Sequence, residues 1–207
     1  EEERVLHTCD HCTRFAQLFI FHGTDINNVT ADGQSLLMVQ LYDFLHGRYE
    51  DFNVEPFLTF IVTRGGCDVN HADAKGRTAL MRLFDCDNYI CCEDHPPPFL
   101  AKFLLDNGAY IHLQDSQGNT AFQRLLSAKS IIHPQGDDDC QCCDWFGNFD
   151  VLINKDASIM NFKTKEGGTL MHTVAANAQR GVWEKLTKME HHHVQFKQML
   201  HTEDFKG

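Results

Sequence analysis

Cysteine and histidine recur together along this chain, and both are ligands for zinc once the thiol has lost its proton. Cys9 and Cys12 form a C-x2-C pair beside His7 and His11, Cys86, Cys91 and Cys92 precede His95, and Cys140, Cys142 and Cys143 follow His133. A structural zinc centre needs about four such groups at one point. The composition offers Cys9, Cys12, Cys86, Cys91, Cys92, His95, Cys140, Cys142 and Cys143 as candidates. The spacing is less favourable, because only the first pair is half of a standard zinc pattern, and adjacent cysteines rarely present both sulfurs to one ion without a bend in the chain. Free thiols on loops and a redox pair are the alternatives. With zinc set aside, no cofactor is expected.

The remaining chemistry is sparse. His191, His192 and His193 are consecutive and point in different directions on a helix, which suits a solvated linker better than a metal site. Asp137, Asp138 and Asp139 lack the spacing of a calcium loop. There is no G-x-S-x-G, no P-loop, no H-E-x-x-H and no G-x-G-x-x-G, so no catalytic residues are assigned and an enzyme is not expected. A net charge of −11 disfavours nucleic acid phosphates and anionic membranes and suits a basic partner or simple solubility. No apolar run approaches the roughly 18 residues of a membrane span. The start, EEERVLHTCDHC, has no apolar core of a secretory signal, so an intracellular, cytoplasmic location is expected, and there an odd number of cysteines, nine, argues against a disulfide framework.

What positions these groups is a repeat. Aligned on a turn glycine, the chain reads NNVTADGQSLLM around Gly33, HADAKGRTALM around Gly76, LQDSQGNTAFQ around Gly118 and FKTKEGGTLMH around Gly167. Upstream of these lie AQLFIFHGTDIN, LTFIVTRGGCDVN, AKFLLDNGAYIH and FDVLINKDASIMN. Thr78 before Ala79 is an N-cap signal, and Gly23, Gly66 and Gly108 after three of the apolar runs are helix stops. Phe15, Leu18 and Phe19, then Phe57, Phe60 and Ile61, then Phe99, Phe103 and Leu104 recur at helical spacing and are expected in the core.

The DxxGxT-like turn and the GADVN-like ending, recurring in fixed order, resemble the ankyrin-repeat family over about residues 13 to 190. Departures are clear: no copy has the proline of the family's TPLH element, and only Thr169-Leu170-Met171-His172 keeps the histidine. The turn glycines are 43, 42 and 49 residues apart against a family period of about 33, which places insertions near 46 to 55, 86 to 98 and 130 to 147, between inner and outer helices.

The resemblance implies an all-α solenoid of helix pairs joined by β-turn or hairpin fingers, in one domain over 1 to 207. A partial repeat covers 1 to 29, repeats cover about 30 to 72, 73 to 114, 115 to 163 and 164 to 190, and 191 to 207 is a tail or capping helix built on Phe196, Met199 and Leu200. It also implies a protein-binding module that acts through a concave face, without turnover. Carried over by position, the turn tips are Ala31, Asp32 and Gln34, then Ala74, Lys75 and Arg77, then Ser116, Gln117 and Asn119, then Lys165 and Glu166. Inner helices add Tyr42, Asp43, Asp85, Ser127 and Asn177. Tyr42 and Arg77 are the expected hot spots, because Tyr and Arg are enriched in that role.

Two other readings stay open: a zinc-stabilised structural module, or recognition by the insertions through Tyr89, Trp145 and Phe146. The chain is also readable as the recruiting arm of a larger protein. Cys67, in the alanine position of its GADVN-like ending, is expected to be a small core residue. Asp156 stands where other copies have Gly23, Gly66 and Gly108, and is expected in the left-handed conformation that glycine takes freely.

Overall fold

The computed structural model describes residues 22–23, 25–45, 54–85, 96–127, 145–165, 167–169 and 172–174. Among them the regular structure is helical, with no strand beyond an isolated antiparallel bridge between Val29 and Ser35. In chain order the helices are α1 (Leu36–Leu45), α2 (Val54–Thr59, widening into a π-helical turn Phe60–Arg64), α3 (Ala79–Arg82), α4 (Pro98–Asp106), α5 (Ala121–Ser127) and α6 (Trp145–Lys155), with a 3-10 turn at Ala157–Asn161. None of the helices among the described residues is long and apolar enough to cross a membrane.

Each unit begins with the same device. The first residue of the turn, Thr30, Asp73, Asp115 or Thr164, accepts backbone N–H groups of its own turn on its side-chain oxygen, at 3.1 Å from Gln34, 2.9 Å from Lys75 and Arg77, 2.8 Å from Gln117, and 3.1 Å from Gly168. Short polar side chains favour turns for this reason. Thr78 caps its helix as expected, its oxygen accepting from Met81 N–H, and Ser35 and Thr120 oxygens accept from Met38 and Gln123 N–H in the same way. At Thr120 the bond is returned, since its own N–H donates to Gln123 Oε1 at 2.9 Å, and at Thr169 the returning acceptor is His172 Nδ1 at 3.2 Å. Gln123 therefore completes a capping box, and His172 supplies its returning half, which Met38 and Met81 cannot.

Units are joined side by side. The turn tips are linked by backbone bonds from Ala74 N to Asp32 O (3.2 Å), Ser116 N to Lys75 O (2.9 Å) and Lys165 N to Gln117 O (3.3 Å). Helix α1 contacts α3, α3 contacts α5, and α4 packs on α6. The core between them is Leu37, Met38, Leu41, Leu58, Ile61, Leu80, Met81, Leu100, Leu104, Phe122, Phe149 and Leu152, all nearly sealed from solvent. At the far side of each unit Asn27 and Asn70 act as clips. Asn27 donates to Gly66 O at 3.2 Å and accepts from Asp68 N at 2.9 Å, and Asn70 does the same with Gly108 O (2.9 Å) and Tyr110 N (2.7 Å).

Several expectations are corrected here. Asp156 is extended (φ −161, ψ 107) and caps the 3-10 turn by accepting from Ser158 N at 2.8 Å, so it carries no left-handed strain. The reason is one additional residue: Gly23, Gly66 and Gly108 precede their turn glycines by ten positions, Asp156 by eleven. The clip changes with it, because His112 in the asparagine position pairs with the Asp156 carboxylate at 2.7 Å and stacks on Phe162 at 5.0 Å. Phe99, expected in the core, is 43% exposed beside Phe44, while Phe57, Ile61 and Leu104 are buried and Phe60 and Phe103 partly so. Helix begins at Val54, Pro98 and Trp145, so the insertions end earlier than expected and Trp145 and Phe146 lie on α6. Proline suits the first helical position of α4, where its missing N–H would have had no partner. Cys67 is buried as expected, and burial pushes its thiol pKa up. Phe15, Leu18, Phe19, Tyr89, residues 1–21 and the 191–207 tail with Phe196, Met199 and Leu200 lie outside the described residues.

Close approach at the tips gives a test. Gly118 and Gly108 both have positive φ, 85° and 89°, but a Cβ on Gly118 would stand 2.6 Å from Lys165 N, whereas nothing lies within 4 Å of one on Gly108. Alanine at either site costs about 1–2 kcal/mol for the left-handed backbone. Gly118→Ala should cost at least about 1 kcal/mol beyond that through overpacking, measured by urea unfolding with unchanged m. Equal losses at the two sites would contradict the tip-to-tip contact.

Candidate functional site

The residues carried over to the turn tips divide by burial. Ala31, Asp32, Ala74, Lys75, Ser116, Gln117 and Lys165 are exposed, and Gln34 and Asn119 are half-buried. On the inner helices Tyr42 is 39% exposed, Asp43 is half-buried, and Ser127 is exposed with its hydroxyl donating to Gln123 O at 2.8 Å. Lys165 reaches back to the Ser116 carbonyl. Glu166 and Asn177 lie outside the described residues, as do all the candidate zinc ligands, Cys9, Cys12, Cys86, Cys91, Cys92, His95, Cys140, Cys142 and Cys143. Among the described residues no group of Cys, His, Asp or Glu is arranged to hold a metal ion.

Arg77 is a correction. It is buried, its Nε donates to Asp73 Oδ2 at 2.8 Å, and its Nη1 meets Asp85 Oδ2. A guanidinium held between two carboxylates inside the fold is part of the frame. Asp85 is corrected with it, because its side chain is only 13% exposed and both its oxygens are engaged. Arg124 completes the arrangement by donating to Asp115 Oδ2 (2.8 Å from Nε) and to Asp85 Oδ1 (2.7 Å from Nη1). With Arg82, which contacts Asp85 at 3.5 Å, three arginines and three aspartates from two neighbouring units thus form one charge-balanced network, and Asp85 is its centre.

Burial alone would raise the Asp73 pKa, but the Arg77 side chain and the backbone N–H groups of Arg77 and Lys75 outweigh it and hold the carboxyl below its ordinary value. At Asp115 burial is again overcome, by the Asn119 N–H and then by Arg124. Asp156 is also held low, first by Ser158 and then by His112.

Arg82 is the residue that transfer by position missed. Among the described residues its guanidinium makes a single hydrogen bond, Nη2 to Gln34 Oε1 at 3.3 Å, and one looser ion contact, Nη1 to Asp85 Oδ2 at 3.5 Å. It also lies over the Tyr42 ring at 5.9 Å. The signal was present: four residues after the capping Thr78 and Thr120 stand Arg82 and Arg124, and seven residues after Ser35 and Thr78 stand Tyr42 and Asp85. Each arginine reaches back to the seventh-position residue of the preceding unit. Arg124 finds a carboxylate there, and Arg82 finds a ring.

No protein-family model matches the chain, and no curated protein shows significant sequence similarity to it.

The network fixes how stability responds to acid. Asp73 and Asp115 are more acidic folded than unfolded, so their contribution is complete above the ordinary value of 3.8 and is lost as pH falls through it toward the folded values. Asp115→Asn removes one such group. Wild type should therefore lose melting temperature more steeply than Asp115→Asn on acidification below about pH 5. Parallel acid branches would show that the Asp115 carboxylate contributes nothing as an ion.

Proposed function

We propose that the chain is an ankyrin-like solenoid that binds another protein through the face formed by its turn tips and inner helices, without turnover. The observation that carries this reading is the tip ladder. Backbone bonds from tip to tip, with α1, α3 and α5 in contact beneath, hold exposed side chains from successive units in one fixed row. A surface that is rigid before binding loses little conformational entropy on complex formation. In that row Tyr42 is the large, partly exposed anchor, with Asp32, Gln34 and Asp43 from its own unit and Lys75, Ser116, Gln117 and Lys165 from the next three. The arginine–aspartate network underneath is internally neutralised, so the row is selective through shape and individual groups rather than through bulk charge.

Tyr42→Ala tests this, because the side chain is partly exposed; the ring it removes lies under the Arg82 guanidinium, which keeps its contacts with Gln34 and Asp85. Arg77→Ala does not: removing one partner of a buried ion pair costs about 3–5 kcal/mol of stability. With the whole chain as bait and cross-linking to locate contacts, a direct partner should bind Tyr42→Ala about 1–2 kcal/mol more weakly at an unchanged melting temperature. A direct partner that binds the variant at full affinity would place recognition elsewhere on the chain.

A further inference from the structure

Arg82 and Arg124 occupy the same position in consecutive units, and their surroundings differ in one respect. Arg124 is held by two carboxylates, Asp115 and Asp85, at hydrogen-bond distance. The carboxylate that would serve Arg82 in the same way, Asp73, is taken by Arg77, a residue whose counterpart in the next unit is the uncharged Asn119. The second carboxylate, Asp85, has Oδ2 bound to Arg77 and Oδ1 bound to Arg124, which leaves Arg82 its 3.5 Å contact. In the place where Arg124 meets Asp85, Arg82 meets the ring of Tyr42. A guanidinium has five N–H donors in a planar fork, and among the described residues this one makes one hydrogen bond, to a neutral amide, while its side chain is only 15% exposed.

A largely desolvated cation with most of its donors unused is a costly arrangement that an incoming anion relieves. We infer that Arg82, flanked by Tyr42 and Gln34, is a recognition point for a carboxylate carried by a protein segment, an Asp or Glu side chain whose neighbouring carbons lie along the Tyr42 ring. The inference rests on the proposed binding face and deepens it: the partner presents an acidic group here, although the chain as a whole is acidic. The two are compatible. The described residues are close to charge balance, so most of the net −11 belongs to the rest of the sequence, and at physiological salt exposed charges beyond about 8 Å are largely screened. A bidentate contact acts at hydrogen-bond range. A carboxylate fits better than a spherical anion because the fork matches its two oxygens.

The test is selection of a random linear-peptide phage library on the whole folded chain, followed by affinity measurements on synthetic copies of the enriched peptides. Enriched peptides should share an Asp or Glu, lose at least about tenfold in affinity toward Arg82→Gln, and recover little of it with Arg82→Lys, which keeps the charge and removes the fork. Replacing the shared acid by Asn or Gln in the peptide should cost as much, and should cost nothing further against Arg82→Gln. Circular dichroism melts of both variants confirm that the loss is not unfolding. Peptides that depend on Tyr42 but carry no acid and ignore Arg82→Gln overturn this inference and leave the binding face standing. Peptides indifferent to both Tyr42→Ala and Arg82→Gln, or no enrichment at all, overturn the binding face and the inference together.

Discussion

One carboxylate, Asp85, stands where three guanidinium groups converge: Arg77 and Arg82 from its own unit and Arg124 from the next. Much else in the described structure follows from how its two oxygens are shared. Arg77 and Arg124 take one each and are thereby locked to the turn aspartates Asp73 and Asp115, which in turn hold the backbone N–H groups of their tips. The tip geometry, the register of α3 against α5 and the neutralisation of the Arg77 and Arg124 charges depend on the same few atoms. Buried ion pairs of this kind are weak evidence for added stability, since desolvation offsets much of the attraction. Their effect is to make other registers costly, because any slip strands a charge without its partner.

The neighbouring joints show how such a stack absorbs irregularity. Asn27 and Asn70 clip to backbone groups that every unit presents. At the next joint the clip residue is His112, the glycine is Asp156, and one residue is added between Asp156 and the turn. A histidine cannot bracket a peptide as an amide does, but it reaches a carboxylate, so both changes meet in a single contact. The same logic governs the helix starts, where Gln123 and His172 return the bond that Met38 and Met81 cannot.

Much of this was legible in the sequence. The four turn glycines, the capping Thr78, the helical stripes of Phe57, Ile61 and Leu104 and the buried Cys67 all follow from local rules that tertiary packing did not override. The errors came where a residue's fate is decided by which other side chain claims it. Arg77 reads as an exposed tip residue until Asp85 is seen to lie within its reach, and Asp156 reads as a strained glycine substitute until the additional residue and His112 are counted. Position in a repeat predicts backbone conformation well. It predicts side-chain exposure poorly, because exposure depends on which neighbour claims the side chain first. Arg82 was overlooked for the same reason, although its recurrence as Arg124 was a clue on the page.

The central claim is that the units are joined across the inner helices through Asp85, and a double-mutant cycle between Asp85 and Arg124, 39 residues apart in sequence, tests it most directly. Unfolding free energies of wild type, Asp85→Asn, Arg124→Gln and the double variant should give a coupling energy of at least about 1 kcal/mol, within the range for contacting charged residues. Additive losses, with no coupling beyond about 0.3–0.5 kcal/mol, would mean that the two units do not share this carboxylate and that the register described here is wrong.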